Sequence, residues 1–534
     1  MLTSQKNKNI SSFMLLIFSL IFLREVNYLF YDSTLSPDYS EYFIYFDHFA
    51  NQEIATNREH GLMYYYLQYI NYFFQYNEFG QNQILFHKSI QQTNFYIYVF
   101  GLFGYYKLLE YLQYQKSSIF LTFTFLCYFP ISMVQRIVFK PEILAFALLP
   151  WILFCIEIYK SEKRIRYLYF SLPIVAICLT LKGNILVIIS VYLVATNLNL
   201  IAKLKKTHIL SLLAILFILM SFLTIENSSV NNKGLLDVQS GATLDEKYNY
   251  KAPLSIIYNI SLFNLVTSPI KHDHAESFIG ITLLETSGDY FDLYWDSDCC
   301  NYFDSRKEFI IFEVSNKIRP PSVDFNSNQL TIFIQKDTDI YLFETLGLFM
   351  SIIFYSLLIK SLFNNSAEKR YLVAVFYGMG LLLFHSIAGF PVNNFDPNIA
   401  DTFKPHYYSF VFLLSTTFLV INLITTKKKR FFLIFYVLFC FFSFGVFKSA
   451  TTDLNQNLQP YVEYSSSCSL TKPLIEELYG KMNIDCGEYR KSDVNKSNNF
   501  FKTGFVLKPI NFGAIIVTII SLIYLIPKKR ELKT

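Results

Sequence analysis

The chain has 534 residues, of which 53% are hydrophobic, 18% aromatic and only 16% charged. Soluble domains carry about a quarter charged residues, so this composition excludes an ordinary soluble enzyme and makes lipid part of the solvent. The net charge of +5 is small and unevenly placed, and it does not imply nucleic acid as a partner.

Lys6 and Lys8 precede an apolar run over 10–23, which resembles a signal peptide. No small-residue cleavage site follows; Arg24 and Glu25 lead straight into 26–30. The expectation is a retained first helix with its positive end on the cytoplasmic side. Hydrophobic runs then predict spans at 95–112, 119–133, 143–158, 168–180, 185–200, 209–223, 340–362, 372–387, 408–423, 431–446 and 512–526, about twelve crossings in all. Basic residues fall on alternate connections. Lys160, Lys163, Arg164 and Arg166 share one; Lys203, Lys205 and Lys206 the next; Lys369 and Arg370, Lys427 to Arg430, and Lys528 to Arg530 follow in step. By the positive-inside rule these connections and both termini are cytoplasmic.

The opposite connections, 31–91, 224–339, 388–404 and 448–508, are long and polar and face outward on this reading. The first carries Asp32, Asp38, Glu41, Asp47, Glu53, Glu59 and Glu78 against Arg58 and Lys88. Within it, 64–76 (YYYLQYINYFFQY) is aromatic and broken by polar residues. That pattern suits a helix lying in the headgroup zone and equally a packed aromatic loop, and both stay open. The expected organisation is an all-α polytopic membrane domain over 1–447 with its outer loops, an extracytoplasmic loop over 448–508, and a last span with a cytoplasmic tail over 509–534.

Four cysteines, Cys127, Cys155, Cys178 and Cys440, lie inside apolar runs and read as small core residues. Cys299 and Cys300 are adjacent and poorly placed to bridge each other, whereas Cys468 and Cys486 flank a short outer segment and could form a disulfide in an oxidising compartment. The chain has no Walker loop, no dinucleotide glycine pattern, no HExxH and no paired CxxC, which argues against ATPase, dehydrogenase and zinc-enzyme readings. Asp296-Ser297-Asp298 has the spacing of a nucleotide-sugar metal motif, but such spacing arises by chance in an acidic loop.

Topology alone leaves a transporter, an enzyme of lipid-linked substrates and a polysaccharide polymerase open. The order of motifs discriminates further. Ser36-Pro37-Asp38-Tyr39-Ser40-Glu41-Tyr42 follows the first helix, and Glu59-His60-Gly61-Leu62-Met63-Tyr64 precedes the aromatic run. Phe129-Pro130, Arg136 and Lys140-Pro141-Glu142 mark the third span and its exit. Leu179-Thr180-Leu181-Lys182-Gly183-Asn184 joins two helices, Leu284-Glu285-Thr286-Ser287-Gly288-Asp289 sits in the large loop, and Thr402-Phe403-Lys404-Pro405-His406-Tyr407-Tyr408 opens a late helix. In order and sidedness this resembles the GT-C superfamily of polytopic glycosyltransferases, which includes protein mannosyltransferases and aminoarabinose transferase.

The resemblance implies transfer of a sugar from a polyprenyl-phosphate donor to an acceptor hydroxyl, a reaction that needs a base for the acceptor and cations for the departing phosphate. Asp38 matches the family's acidic residue and is the candidate base, with inversion at the anomeric carbon as the expected outcome. Glu41, three residues on, could share its helical face and hold an acceptor or a divalent cation, and a solvated face explains it as well. Glu142 stands at an outer turn where a charge near lipid signals a partner or a function, Arg136 and Lys140 being its nearest basic neighbours. Lys182, Lys404 and His406 are candidate phosphate ligands, although snorkelling lysines are common at helix ends. Glu142 joins Asp38 and Glu41 as an expected catalytic carboxylate, and Arg136, Lys140, Tyr407, Glu59, His60 and Asp289 complete the expected substrate-binding set. The implied partners are a lipid-linked sugar donor, a glycan, lipid or protein acceptor, and membrane lipid, in the plasma membrane of a bacterium. Two rivals remain: a polymerase that joins lipid-linked oligosaccharides, and a non-enzymatic lipid or solute transporter.

Overall fold

Long apolar runs in lipid must satisfy every backbone N–H and C=O within the segment, and the α-helix does this locally. The computed structural model describes residues 2–30, 61–75, 83–231, 249–250, 253–267, 274, 277–287, 309–312, 330–333, 338–363, 368–388, 390–391 and 405–425. Helices dominate them: α1 (Leu2–Phe30), α2 (Met63–Gln75), α3 (Gln83–Tyr111), α4 (Lys116–Tyr128), α5 (Pro130–Ile137), α6 (Glu142–Glu162), α7 (Arg166–Thr180), α8 (Gly183–Thr196), α9 (Lys206–Asn231), α10 (Leu262–Thr267), α11 (Phe278–Ser287), α12 (Thr338–Phe363), α13 (Ala374–Ala388) and α14 (Ser409–Thr425). Two short antiparallel pairings, Asn249–Tyr250 with Phe390–Pro391 and Phe309–Phe312 with Leu330–Phe333, are the β-structure among the described residues.

Among the described residues, five stretches are long and apolar enough to cross a membrane: Glu142–Glu162, Lys206–Thr224, Thr345–Phe363, Lys369–Ala388 and Pro405–Thr425. The bent pair Lys116–Tyr128 and Pro130–Arg136 makes a sixth if its two helices count as one broken span, and is otherwise a re-entrant loop. The chain is therefore a helical membrane protein. The expected spans at 168–180 and 185–200 coincide with α7 and α8, which are shorter apolar helices. Those at 431–446 and 512–526, together with the 448–508 loop, lie outside the described residues.

The third expected span, 119–133, differs from its expectation because it is not one straight helix. Its axis turns by 71° at Phe129-Pro130. Proline lacks an N–H and pushes the preceding residue out of the helical region, and Phe129 accordingly has φ −73° and ψ 133°. Pro130 then opens α5, where its missing donor costs nothing.

α6 and α14 form the centre. α14 packs against α4, α6 and α13, and α6 also against α3 and α7. α9 lies at the periphery against α7, its apolar face almost wholly uncovered. The aromatic run folds as the helix α2 and is not a loop, with one side covered by protein. In α2, Tyr64, Tyr65, Gln68 and Tyr72 are buried, whereas Tyr66, Phe73 and Phe74 are exposed. Asn94 on α3 fixes the buried side: its Oδ1 accepts from the Tyr64 hydroxyl at 2.9 Å and Gln68 Nε2 at 2.7 Å, and its Nδ2 donates to the Val138 carbonyl at 2.8 Å.

The two ends of α6 each carry a polar cluster, about 22 Å apart for fifteen residues at 1.5 Å rise. At the C-terminal end, Glu157 accepts from Arg370 at 2.5 Å and pairs with Lys160 at 3.1 Å. Nearby, the Tyr114 hydroxyl donates to Glu368 at 2.6 Å and contacts Asn422 at 3.3 Å. Lys160 and Arg370 come from two connections that the sequence reading assigned to the same side.

Candidate functional site

At the N-terminal end of α6, short breaks between helices meet. Residues 138–141 join α5 to α6, residues 181 and 182 join α7 to α8, and the 3-10 turn Pro405–Tyr408 opens α14. Pro141 caps α6 and places Glu142 in its first turn, where the partial positive charge of the helix end favours a carboxylate.

Glu142 is 2% exposed and its Oε1 accepts from Lys182 Nζ at 3.0 Å. Its Oε2 is buried with no hydrogen-bond partner among the described residues. Lys182 has extended backbone at the break between α7 and α8, and its Nζ lies 4.6 Å from the centre of the Tyr407 ring. Lys140 Nζ stands 5.2 Å from the same ring and 3.0 Å from His406 Nε2. With Lys140 charged, Nε2 is the acceptor and the imidazole proton resides on Nδ1. Lys140 and His406 are both buried. The His406 and Tyr407 rings are 4.3 Å apart.

Backbone contacts lock the three turns together. Asn184 Nδ2 donates to the Tyr407 carbonyl at 2.8 Å, tying the α7–α8 turn to the α14 entry. Ser409 Oγ donates to the His406 carbonyl at 2.5 Å and receives Gln135 Nε2 from α5. The Gly61 N–H donates to the Leu181 carbonyl at 3.1 Å. A Cβ on Gly61 would collide with the Thr180 carbonyl, and one on Gly378 of α13 would enter the Tyr408 ring. These are close approaches that only glycine permits.

Of the residues predicted from sequence, Glu142, Lys140, Lys182, His406 and Tyr407 come together here. Arg136 does not join them. Its guanidinium is fully buried, donates to Ser132 Oγ at 3.0 Å and to the Cys127 carbonyl at 2.5 Å, contacts the Met133 sulfur, and lies 4.6 Å from the Tyr98 ring centre. It satisfies a carbonyl released where α4 ends at the Pro130 bend, which is a structural task. Asp38, Glu41, Glu59, His60, Asp289, Lys404, Cys468 and Cys486 lie outside the described residues. Cys127, Cys155 and Cys178 are free thiols. Among the described residues no three His, Cys, Asp or Glu side chains gather as a metal site.

Three side chains that the sequence did not single out also shape this end. Asn184 carries the turn-to-turn hydrogen bond above. Tyr64 packs its ring 5.8 Å from Phe139, and burial raises its phenol above the ordinary value, so it remains a proton donor to Asn94. Glu285 on α11 is 3% exposed, beside Thr286, whose hydroxyl is 3.1 Å from the Tyr355 hydroxyl. Asparagine and tyrosine carry no charge to flag them in an apolar sequence, and Glu285 was overshadowed by Asp289 in the same motif.

Fold and site together define a polytopic helical membrane protein with a buried, cation-rich cluster at one end of its bundle. No protein-family profile matches the chain, and no characterised protein resembles it significantly in sequence.

Proposed function

We propose that the protein is a membrane glycosyltransferase of GT-C type, with about twelve spans and both termini cytoplasmic, which takes a sugar from a polyprenyl-phosphate carrier at the outer face of a plasma membrane. The observation that carries this reading is the gathering of Lys140, Lys182 and His406 from three separated segments around Tyr407, with Glu142 as the carboxylate among them. Two ammonium groups in a buried setting suit a departing phosphate, whose charge grows as the sugar–oxygen bond breaks. Glu142 orients Lys182 through Oε1, and its second oxygen can accept a hydrogen bond from a hydroxyl. In the reaction the acceptor oxygen bonds to the anomeric carbon, the bond from that carbon to the phosphate oxygen breaks, and the acceptor proton passes to Asp38. Lys404, Glu59, His60 and Asp289 complete the binding set in this reading. A divalent cation at Asp38 and Glu41 is an optional element of it.

The test is release of polyprenyl phosphate from a radiolabelled panel of polyprenyl-phosphate monosaccharides by the purified protein in lipid. Turnover by the native chain, lost in Asp38→Asn and Lys140→Ala with unchanged size-exclusion profiles, is the expected result. Turnover confined to lipid-linked oligosaccharides would replace this reading with a polymerase, and binding without turnover would replace it with a transporter.

A further inference from the structure

The large connection between α9 and α12 contains a stretch whose chemistry is out of place for a water-facing loop. From Pro253 to Ile270 the sequence holds no Asp, Glu, Lys, Arg or His. A single turn of 3-10 helix at Leu254–Ile257 and the short helix α10 present Leu254, Ile257, Tyr258, Leu262, Phe263 and Val266 outward, Phe263 at 76% and Tyr258 at 74% exposure. Ile256 and Leu265 point the other way and are buried in the core. Both faces of the stretch are therefore apolar, one covered by protein and one uncovered.

Several of its polar groups pair within the stretch. Ser261 Oγ accepts from the Asn264 N–H at 3.2 Å, Thr267 Oγ1 donates to the Phe263 carbonyl at 3.0 Å, and the Asn259 N–H donates to the Ser255 carbonyl at 2.7 Å. Local pairing of this kind is what a low-dielectric surrounding demands. Uncharged polar residues are exposed as well, and two of them, Asn259 and Asn264, stand beside Tyr258 and Phe263, the mixture that suits the boundary between headgroups and acyl chains. Position agrees. The Leu254–Ile257 turn packs on α11, and α11 packs on α12, on α5 and on the Pro405–Tyr408 turn, at the end of the bundle where Lys140 and Glu142 lie. The stretch thus borders the membrane-crossing bundle at the level of its polar end.

We propose that residues 253–267 are a membrane-surface anchor, with Leu254, Ile257, Leu262 and Phe263 seated in the bilayer at the headgroup–acyl boundary. The occupant of the exposed face is lipid. Through α11 this anchor sets the height of the cluster above the acyl chains. The inference rests on the membrane placement of the chain and does not depend on the transferase reading.

Tryptophan quenching by brominated lipid tests it. Phe263→Trp and Leu254→Trp, each in the full chain, are reconstituted in phosphatidylcholine vesicles brominated at the 6,7 or the 11,12 acyl positions, with iodide as the aqueous quencher. Subtracting the parent spectrum removes emission from Trp151 and Trp295. Both positions are largely exposed, so the substitutions leave packing intact. The expected result is that shallow bromine removes most of the added emission and iodide removes little. Quenching by iodide alone would overturn the proposal by placing the face in water, and protection from both quenchers would overturn it by showing a protein cover. Neither readout involves a sugar donor, so failure here is distinct from failure of the enzymatic assay.

Discussion

Lys182 lies between two apolar helices, and its pairing with Glu142 explains how a charge is tolerated there. Breaking a buried pair by removing one partner strands the other charge, at roughly 3–5 kcal/mol, whereas replacing both is close to neutral. Lys182→Met is therefore expected to lower stability by about 3 kcal/mol, discounted a little because the lysine is partly exposed, while Glu142→Gln with Lys182→Met recovers most of the loss. Thermal unfolding in detergent reads both, and equal melting of the single and double variants would remove the pair from the account. Asn94 is a second residue of this kind. Its three hydrogen bonds hold α2 and residue 138, so Asn94→Leu takes the acceptor from the Tyr64 hydroxyl and the Gln68 amide, and a loss of about 2–3 kcal/mol is expected in the same measurement. Glu142 and Lys182 could be suspected from sequence, each as a charge beside an apolar run. Their partnership across forty positions could not, because it depends on how α6 and α7 are rotated about their axes.

Among the elements, the break between α4 and α5 carries most consequence. Pro130 turns the chain, frees the Cys127 carbonyl for Arg136, and sets α5 beside the Pro405–Tyr408 turn through Gln135 and Ser409. Pro130→Ala removes the constraint on Phe129 and permits a continuous helix. The expected outcome is a cooperative melt lowered by several degrees together with lost donor release, and an unchanged melting temperature with unchanged activity would show that the bend is held by packing alone. At α13, Gly378→Ala forces Tyr408 aside, and overpacking of this kind costs about 1–3 kcal/mol. Hydropathy located these helices well: the runs at 143–158, 340–362 and 408–423 fall inside α6, α12 and the α14 segment. It placed the bend inside a span because an apolar count is blind to direction, although Phe129-Pro130 was visible as a motif.

At the scale of the molecule, Glu157 joins Arg370 across 213 positions and the Tyr114 hydroxyl joins Glu368 across 254, so the early and late helices are tied at the end opposite the candidate site. Arg370→Ala removes one of the two cations that hold Glu157 and leaves Lys160, and a loss of about 2 kcal/mol is expected. Differential scanning in lipid would reveal it as a lowered transition, and an unaltered transition would mean that helix packing alone unites the two halves. The chain by itself determined that lipid is its solvent and where most helices run, because hydrophobicity and its length are properties of a contiguous segment. It also marked Lys140, Glu142, Lys182, His406 and Tyr407 one at a time. That these five share one buried site while Arg136 serves the backbone of a bent helix was decided by tertiary structure, since those distances depend on which helices pack together and on the face each turns inward.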